Sequence, residues 1–354
     1  MSHPKISIVM AVFNRPEMVK VMIDSIIANN CQDWELIAVD DGSDNETIEL
    51  LSEYKSTDSR IRLIHRDQEP KGPLTCRNIG LKEANSEYIV FFDSDDYITP
   101  CCLSSRIAAM EYHKDLDFMI FPSGEYTDGR IDEHSMVYAY GYPIHTDDIA
   151  SFARRILPFV VVNNIYRRSS LEKNGIWWDT ELKSLEDADF NMQCLLSGMK
   201  YQYARALPDY GYRITSNTQS LSKKMYLHYD SHIHALEKFY TIIQEKFGHE
   251  YDSALFEGLM SIFTMVCREQ IDQQFIYRLK SLLKKYDSKR GKLLNIQVWV
   301  MNWLKFILPK QKARQIATAY YVAKYRYLLK RQKPHQISNM IIQYEKNFYH
   351  NSNI

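Results

Sequence analysis

Clusters of acidic side chains follow apolar segments in the first half of this sequence. Asp93, Asp95 and Asp96 occur within four residues, directly after the apolar residues 88–92. Carboxylates placed this close repel one another unless a cation or strong hydrogen-bond donors compensate. Hard divalent cations such as Mg²⁺ and Mn²⁺ take oxygen ligands and are often shared between carboxylates and substrate phosphates. The loop is therefore a candidate metal site, although a solvated turn that caps a helix would have the same composition.

Three further polar groups have types and positions that suit binding or catalysis. Asp41, after a second apolar segment, could accept hydrogen bonds from a base N–H or a ribose hydroxyl. Arg77, at a predicted helix start, suits an anion. Asp187, beside Glu186, could accept the proton of an attacking hydroxyl. Each also has an ordinary structural explanation, namely a turn, a surface arginine or an acidic helix N-terminus.

These groups follow a regular alternation of predicted strands and helices. Short apolar segments at residues 6–13, 35–39, 61–65 and 88–92 predict buried strands, and residues at helical spacing lie between them. The alternation predicts an α/β fold with a parallel sheet and right-handed crossovers. Ligands of such sheets bind beyond the carboxyl ends of the strands, where the candidate groups lie. The first strand is followed by neither a GxGxxG turn nor a P-loop lysine.

Length and composition favour a folded protein of one large and one smaller domain, or of two domains. The 354 residues are 45% hydrophobic, which is enough for a substantial core. The six cysteines form no CxxC pair, which favours free thiols in a reducing cytoplasm over a zinc site or disulfides. No secretory signal peptide is evident, and no apolar segment approaches the ~20 residues that span a bilayer. We therefore expect a cytoplasmic protein.

The charge is unevenly distributed along the chain. Residues 278–333 contain sixteen lysines and arginines and one acidic residue, whereas the whole chain is neutral. Aromatic side chains such as Trp299, Trp303 and Phe306 fall on one face of a predicted basic helix there. Such a helix is typical of peripheral contact with the inner face of a membrane, but it could equally pack its aromatic side chains on the catalytic domain. Nucleic-acid binding is not expected, because the acidic remainder of the chain would oppose it.

Together, the order and spacing of these segments resemble the family 2 glycosyltransferases, which are inverting enzymes with the GT-A fold. The resemblance covers about residues 5–222. The matched segments are the opening strand and its Asn turn (6–14), the Trp-Glu-Leu-Ile strand with its Asp-Asp-Gly-Ser turn (34–43), the Cys-Arg-Asn-x-Gly helix start in place of Ala-Arg-Asn-x-Gly (76–80), the Asp-x-Asp-Asp loop closed by a proline (93–100), the Asn…Tyr-Arg-Arg segment (163–168), the Glu-Asp-x-Asp-Phe helix (186–190) and the Tyr-Arg loop (212–220).

The resemblance implies a domain organisation. Residues 1–222 would form the GT-A domain, a Rossmann-like, mostly parallel sheet flanked by helices. Within it, residues 1–100 would bind the nucleotide sugar, and residues 101–222 would supply the acceptor side and the catalytic base. Residues 223–354 would form a basic, helical C-terminal region.

The resemblance also implies roles for matched residues. Asp187 would be the catalytic base, with Glu186 positioning the acceptor or serving as an alternative base. Asp95 and Asp93 would hold Mn²⁺ or Mg²⁺, with Asp95 the more direct ligand. Asp41 would contact the nucleotide base. The residues expected to bind the nucleotide sugar are Ala11, Phe13, Asn14, Asp41, Arg77, Asp93, Ser94, Arg213 and Thr218.

The implied reaction is transfer of one sugar from a nucleotide diphosphate sugar, by expectation a UDP-sugar, to a carbohydrate or lipid-linked glycan in bacterial surface-polysaccharide synthesis. Processive members carry a Gln-x-x-Arg-Trp motif that is absent here. The Tyr-Arg loop has Thr215 or its neighbours where many relatives have a histidine, so no histidine ligand to the metal is expected. A nucleotidyltransferase and a non-catalytic carbohydrate-binding or assembly protein of the same fold remain as alternatives.

Overall fold

The chain divides into two compact units. The first is made of residues 1–143, 158–180 and 186–216, and the second of residues 144–157, 181–185 and 217–354. The structure, a computed structural model, describes residues 4–127, 137–142, 147–214, 228–269 and 273–286, together with isolated positions and short segments between 292 and 319.

Two sheets form the centre of the first unit. The strands of the larger sheet are β1 (Ile6–Val12), β2 (Trp34–Asp40), β3 (Ile61–His65), β4 (Tyr88–Asp93), β6 (Phe118–Ile120), β9 (Asn164–Arg167) and β10 (Tyr201–Tyr203). Their order across the sheet is β10-β6-β9-β4-β1-β2-β3, and of these described strands only β9 pairs antiparallel with its neighbours. The strands of the smaller sheet are β5 (Tyr97–Ile98), β7 (Ser123–Thr127), β8 (Val137–Tyr140) and β11 (Tyr210–Ile214), in the order β5-β11-β7-β8. The prediction of a mostly parallel α/β sheet is confirmed.

Helices connect and cover these strands. Those of the first unit are α1 (Pro16–Ile27), α2 (Asn45–Thr57), α3 (Pro73–Glu83), α4 (Cys102–Tyr112), α6 (Arg168–Asn174) and α7 (Glu186–Leu196). Those described in the second unit are α5 (Asp148–Ala153), α8 (Tyr229–Phe247), α9 (Asp252–Glu269) and α10 (Gln273–Tyr286). The helices α1 and α3 each begin with a proline in the first turn, where its missing N–H costs no intrahelical bond.

The central strands are apolar because they are covered on both faces. Nearly every residue of β1, β2 and β4 is buried, as the uninterrupted apolar segments predicted. In β1, Ile6, Ile8, Val9 and Met10 have no solvent exposure. The strand β1 pairs with β2 on one side and β4 on the other. The turns that follow these three strands therefore meet at one edge of the sheet.

A buried ion pair fixes the start of strand β11. Arg106, on α4, donates from Nε and Nη2 to the two carboxylate oxygens of Asp209, at 2.7 Å each. Its Nη1 donates to the backbone oxygen of Val162 at 2.9 Å. Burial alone would lower the pKa of Arg106, but the charge of Asp209 raises it well above its ordinary value. The two hydrogen bonds of this bidentate pair offset the cost of removing both charges from water. The pair also fixes the position of Tyr210, the residue after Asp209.

A glycine brings helix α3 close to strand β1. A β-carbon added to Gly80 would lie 2.4 Å from Cγ1 of Val9, which is a fully buried side chain. Because Val9 is held by the surrounding core, it has little room to move aside. The glycine of the Cys-Arg-Asn-x-Gly segment is therefore required by packing, and it sets the distance between α3 and the sheet.

We expect Gly80→Ala to lower the stability of the first unit by about 1–3 kcal/mol, because the added methyl group overpacks the core against Val9. The midpoint of urea unfolding measures this effect. Alanine is a better helix former than glycine by about 1 kcal/mol, so the same substitution at an exposed helical glycine would raise the stability instead of lowering it.

The double variant Val9→Ala/Gly80→Ala is the control for the packing argument. Val9→Ala alone leaves a cavity that the methyl group added at position 80 partly fills, so the double variant should lose less stability than the sum of the single variants. A rise in the midpoint for Gly80→Ala alone would contradict the packing argument.

The described part of the second unit is helical. The helices α8, α9 and α10 bury apolar residues such as Leu236, Leu259 and Leu283. A β-carbon added to Gly258 of α9 would lie 2.1 Å from the backbone oxygen of Ala153 in α5, so this glycine permits close packing of α5 and α9. Among the residues described, no helix has both the length and the apolar character needed to cross a bilayer.

Five large apolar side chains beyond α10 are exposed. Each has more than half of its surface accessible to solvent, and their numbering follows helical spacing: Ile296, Trp299, Trp303, Phe306 and Ile307. Lys292 and Lys312, on either side of them, are exposed as well. The remaining positions predicted for the basic helical region lie largely outside the described residues.

Candidate active site

The acidic loop between β4 and β5 is anchored by Asp96. Its side chain is buried and accepts hydrogen bonds from the Tyr210 hydroxyl at 2.6 Å and from the Arg213 backbone N–H at 2.9 Å. Burial raises its pKa well above the ordinary value, and the charges of Asp95 and Asp93 add to this. Asp96 therefore holds the loop against β11 and leaves the other two carboxylates to face outward.

Asp93 and Asp95 are partly exposed, and each has an arginine partner. Asp93 accepts a hydrogen bond from Nη2 of Arg77 at 2.5 Å, and Asp95 accepts one from Nη1 of Arg15 at 2.8 Å. Their side chains are 37% and 38% exposed. Burial raises the pKa of Asp95, and the charge of Asp93 adds to this rise. Two partly exposed carboxylates in one loop offer oxygen ligands of the kind that hard divalent cations take, so the donor set suits Mn²⁺ or Mg²⁺.

Arg77 lies among three carboxylates. It is buried on α3, and its guanidinium carbon is 4.5 Å from the centre of the Trp178 ring. Burial alone would lower its pKa, but the negative charges of Asp93, Asp187 and Glu186 raise it above the ordinary value. Arg77 therefore compensates part of the negative charge at the sheet edge.

Trp178 connects the helix of Arg77 with the helix of Asp187. Its backbone N–H and C=O pair with the side chain of Asn78 at 2.9 Å each. Its ring stacks on Phe190 of α7 with 4.4 Å between the ring centres. These contacts bring the first turn of α7 towards Arg77.

Asp187 and Glu186 begin helix α7. Oδ1 of Asp187 is buried without a hydrogen-bond partner among the described residues. Burial raises the pKa of Asp187 to about 8; Arg77 opposes this rise, whereas Glu186 and Asp93 add to it. A carboxylate that gains and loses a proton near neutral pH has the property that a general base requires.

Asp41 has a different environment at the end of β2. Oδ1 accepts hydrogen bonds from Nε of Arg66 at 2.6 Å and from the backbone N–H of Gly72 at 3.2 Å. The preceding Asp40 turns inward to accept the backbone N–H groups of Gly42 and Ser43 at 3.1 and 3.0 Å. Asp40 is thus bound within its own turn, whereas Asp41 contacts the segment that leads into α3.

Asn14 ties the turn after β1 to the turn after β2. Its backbone N–H donates to Oγ of Ser43, and its Oδ1 accepts from the backbone N–H of Asp44, at 2.9 Å each. Asn14 and Arg15 both have positive φ, a conformation that asparagine adopts more readily than most residues. The neighbouring Phe13 is 47% exposed, and Nζ of Lys71 lies 4.1 Å from the centre of its ring.

The predicted site residues that the structure describes fall into two groups, and Arg213 adjoins the acidic loop of the first group. Arg77, Asp93, Glu186 and Asp187 interact with one another, and Ser94 and Asp95 lie in the same acidic loop. Ala11 pairs in register with Asp93, while Phe13, Asn14 and Asp41 lie at the adjoining turns. Arg213, expected in a loop, lies on strand β11. Thr218 lies outside the described residues.

Several residues that shape the site were not predicted. They are Arg15, Arg66, Asp96, Trp178 and Tyr210. Asp96 was visible only as part of the acidic loop, and Arg15 only as a polar residue after the first strand. Their partners are 25 to 114 residues away along the chain, so no local spacing identifies the pairs.

Comparison with known sequences identifies the family of this site. The model of the family described as "Glycosyl transferase family 2" matches residues 7–175. The putative glycosyltransferase EpsH of Bacillus subtilis (strain 168) is 28% identical over 64% of this chain and 66% of its own length. The poly(ribitol-phosphate) beta-N-acetylglucosaminyltransferase TarS of Staphylococcus aureus (strain Mu50) is 27% identical over 54% of this chain and 33% of its own length. The chain thus spans one to two thirds of these relatives.

Solved structures show the same fold. S. aureus TarS in complex with UDP-GlcNAc has a TM-score of 0.65 at 18% identity, covering 90% of this chain and 92% of the TarS chain. A mannosyltransferase from Pyrobaculum calidifontis in complex with GDP-Man and Mn²⁺ has a TM-score of 0.53 at 12% identity, covering 91% and 86%. Residues 7–175 thus form a glycosyl transferase family 2 domain, and the chain has the GT-A fold of these structures.

Proposed function

We propose that this chain is an inverting glycosyltransferase that moves one sugar from a nucleotide diphosphate sugar to a carbohydrate or lipid-linked glycan acceptor. The observation that carries the proposal is the position of Asp187, a half-buried carboxylate at the start of α7 whose Oδ1 is buried without a partner among the described residues and whose charge acts on nearby Arg77. Such a group can take the proton of an acceptor hydroxyl as that hydroxyl attacks. Attack on the far face of the sugar inverts the anomeric carbon in one displacement, so a second nucleophile is not required.

A UDP-sugar is the donor that the comparisons favour. TarS is named as an N-acetylglucosaminyltransferase, and its solved structure contains UDP-GlcNAc. The same relative acts, by its name, on poly(ribitol-phosphate), which supports a polymeric acceptor of the cell surface. These properties belong to a relative of which this chain spans one third, so they enter here as part of the proposal.

Asp95 and Asp93 would hold Mn²⁺ or Mg²⁺. When bound, such an ion neutralises charge that builds on the leaving diphosphate. The remaining groups of the proposed site are side chains of the protein itself. Arg77 fixes Asp93 by a direct hydrogen bond, and Asp96 fixes the loop that carries Asp95. Glu186, beside Asp187, would orient the acceptor hydroxyl.

Calorimetric binding of UDP with and without Mn²⁺ tests the donor site. We expect UDP to bind tightly only with Mn²⁺, and we expect this dependence to be lost in Asp95→Ala because the outward-facing ligand is removed. Glu53→Ala, which removes an exposed carboxylate on α2, is the matched control and should bind as the parent does. A parent protein that binds no nucleoside diphosphate would rule out the proposal. Release of pyrophosphate instead of UDP during turnover would favour a nucleotidyltransferase.

The pH dependence of transfer tests the role of Asp187. Only the ionised carboxylate can accept a proton, so kcat/KM should rise about tenfold per pH unit at low pH and level off above a pKa of about 8. A bound divalent cation would move this profile to lower pH without reversing its direction. Asp187→Asn should abolish turnover while leaving Mn²⁺-dependent UDP binding in place. A rate that falls as the pH rises through this range would exclude Asp187 as the base.

Thermal unfolding provides an independent check on the same pKa. The folded-state pKa of Asp187 lies above its ordinary value of 3.8, so its contribution to stability is complete below about pH 4 and is lost as the pH rises through about 8. Asp187→Asn carries no such charge. The melting temperature of the variant minus that of the parent should therefore increase as the pH rises. A difference that stays constant with pH would contradict the raised pKa.

We also propose that the exposed apolar face beyond α10 contacts an anionic membrane surface. Ile296, Trp299, Trp303 and Phe306 are exposed at helical spacing. The surrounding residues 278–333 carry sixteen basic side chains and one acidic one. Apolar side chains that enter the interface and lysines that meet anionic headgroups are the two contributions to binding by an interfacial helix. Such contact suits an acceptor carried on a lipid.

Co-sedimentation with vesicles tests membrane contact. The parent should bind vesicles that contain anionic phosphatidylglycerol more tightly than vesicles of phosphatidylcholine alone, and added salt should weaken the binding. The double variant Trp299→Ser/Trp303→Ser should bind several-fold less. Tyr112→Ser, which removes an exposed aromatic side chain from α4, should have no effect. Equal binding of the parent and the double tryptophan variant would exclude this face.

A further inference from the structure

We propose that Asn191 is a positioning residue for Asp187, and that its side-chain amide donates to Oδ1 of the ionised carboxylate. Asn191 is itself held by two residues of strand β9, Asn164 and Tyr166. The inference rests on the proposed function and deepens it, because it takes Asp187 as the base that accepts the proton of the acceptor hydroxyl.

Asn164, Tyr166 and Asn191 form a buried polar network between β9 and α7. None of these three residues has any solvent exposure. Nδ2 of Asn164 donates to the Tyr166 hydroxyl at 2.6 Å and to Oδ1 of Asn191 at 2.9 Å. The Tyr166 hydroxyl donates to the same Oδ1 at 3.0 Å. Hydrogen bonds are stronger away from water, so the network holds the three side chains in one arrangement.

The network fixes the direction of the Asn191 amide. Its oxygen accepts two hydrogen bonds, one from Asn164 and one from Tyr166. Turning this amide over by itself would bring its NH₂ group against Nδ2 of Asn164, and two donors do not bond to each other. Nδ2 of Asn191 therefore points away from that contact. This atom is buried and has no hydrogen-bond partner among the described residues.

Asp187 lies one helical turn before Asn191 on α7. Side chains four residues apart lie on the same face of a helix, with β-carbons about 5–6 Å apart. Oδ1 of Asp187 is also buried and without a partner in the part of the chain that the structure describes. One buried donor and one buried acceptor thus share a helix face, and rotation of the Asp187 side chain brings them together. Leaving both unpaired would cost more than pairing them.

Tyr166 gives a second indication that Asp187 lies close to the network. Burial raises the pKa of its hydroxyl well above the ordinary value, and the charge of Asp187 adds to this rise. The ring of Tyr166 also packs on Phe190 of α7, with 5.6 Å between the ring centres. The network therefore contacts α7 on the face that carries Asp187.

A donor at Oδ1 changes the balance of charges that acts on Asp187. Arg77 favours the ionised form of this carboxylate, whereas burial and the charges of Glu186 and Asp93 oppose it. A hydrogen bond to the charged form favours that form, so Asn191 would act in the same direction as Arg77. With Oδ1 held from within the protein, Oδ2 is left to accept the proton of the attacking hydroxyl.

A titration of Asp187 by NMR tests the contact without turnover. Protein labelled with carbon-13 at the aspartate carboxyl groups reports the pKa, and Asp187→Asn assigns the signal. Asn191→Leu removes the amide and puts an apolar group in its place, so the pKa of Asp187 should rise by about one pH unit. An unchanged pKa in a folded Asn191→Leu protein would overturn the inference.

Asn163→Leu is the matched control for this titration. Asn163 is as deeply buried as Asn191, but its amide bonds to backbone groups of Phe121 and Val160. Its loss should lower the stability and leave the pKa of Asp187 unchanged. A rise equal to that of Asn191→Leu would show a general effect of core damage and would overturn the specific role of Asn191.

Release of UDP from UDP-GlcNAc with Mn²⁺, with water as the acceptor, tests the consequence for the chemistry. At pH 7, Asn191→Leu should lower kcat about tenfold, with little change in KM for UDP-GlcNAc. The loss should shrink as the pH rises, because higher pH restores the ionised base. A loss that is the same at every pH would indicate a structural defect and would overturn the inference.

The two measurements separate this inference from the proposed function. A raised pKa in Asn191→Leu together with no UDP release by the parent would retain the contact between Asn191 and Asp187 but overturn the proposed transfer from a UDP-sugar. If Asn191→Leu melts far below the parent, Asn191→Val serves in its place, because it is smaller and also apolar. Tyr166→Phe removes one of the two donors to Asn191 and should raise the pKa of Asp187 by a smaller amount. No rise in Tyr166→Phe would overturn the part assigned to β9.

Discussion

Repulsion among carboxylates at one edge of the sheet is the constraint on which the rest of the site depends. The acidic loop at the end of β4 and the start of α7 bring five interacting carboxyl groups together, those of Asp93, Asp95, Asp96, Glu186 and Asp187. Arg77 compensates Asp93 and the carboxylates of α7, and Arg15 compensates Asp95. Asp96 is satisfied by two hydrogen bonds instead of a charge. Asp93 and Asp95 stay partly exposed beside their arginines, and this is where we propose that a divalent cation binds.

The compensation requires close placement of α3 against the sheet. Arg77 is three residues before Gly80, so the close approach of Gly80 to Val9 places the arginine directly against the sheet. A larger residue at position 80 would push the helix outward and lengthen the hydrogen bond between Arg77 and Asp93. Packing in the core and electrostatics at the edge are therefore linked through one turn of helix. The buried pair of Arg106 and Asp209 plays the same part for Tyr210, which holds Asp96.

Sequence patterns predicted the parts of this site that are local. Buried parallel strands have continuous apolar segments, so β1, β2 and β4 could be placed, and the polar turns after them fell at the expected edge. Pairings between distant residues could not be predicted this way. Arg15 with Asp95 and Arg66 with Asp41 depend on how turns meet in three dimensions, and each arginine alone has the appearance of a surface residue.

Asp41 and Asp187 show that burial alone does not determine what a carboxylate does. Asp41 is buried and Asp187 is half-buried. Oδ1 of Asp41 accepts hydrogen bonds from Arg66 and Gly72, whereas Oδ1 of Asp187 has no partner among the described residues. These donors fix the position of Asp41, which suits the base-binding role that the family resemblance implies for it. Burial raises the pKa of Asp187 to about 8, and the charges of Glu186 and Asp93 add to this rise, which suits the proposed role of general base. An arginine lies near each, but Arg66 contacts its partner directly, while Arg77 is bonded to Asp93 and acts on Asp187 through space. That difference in contact, more than the number of nearby charges, is the physical basis for proposing separate tasks for the two carboxylates.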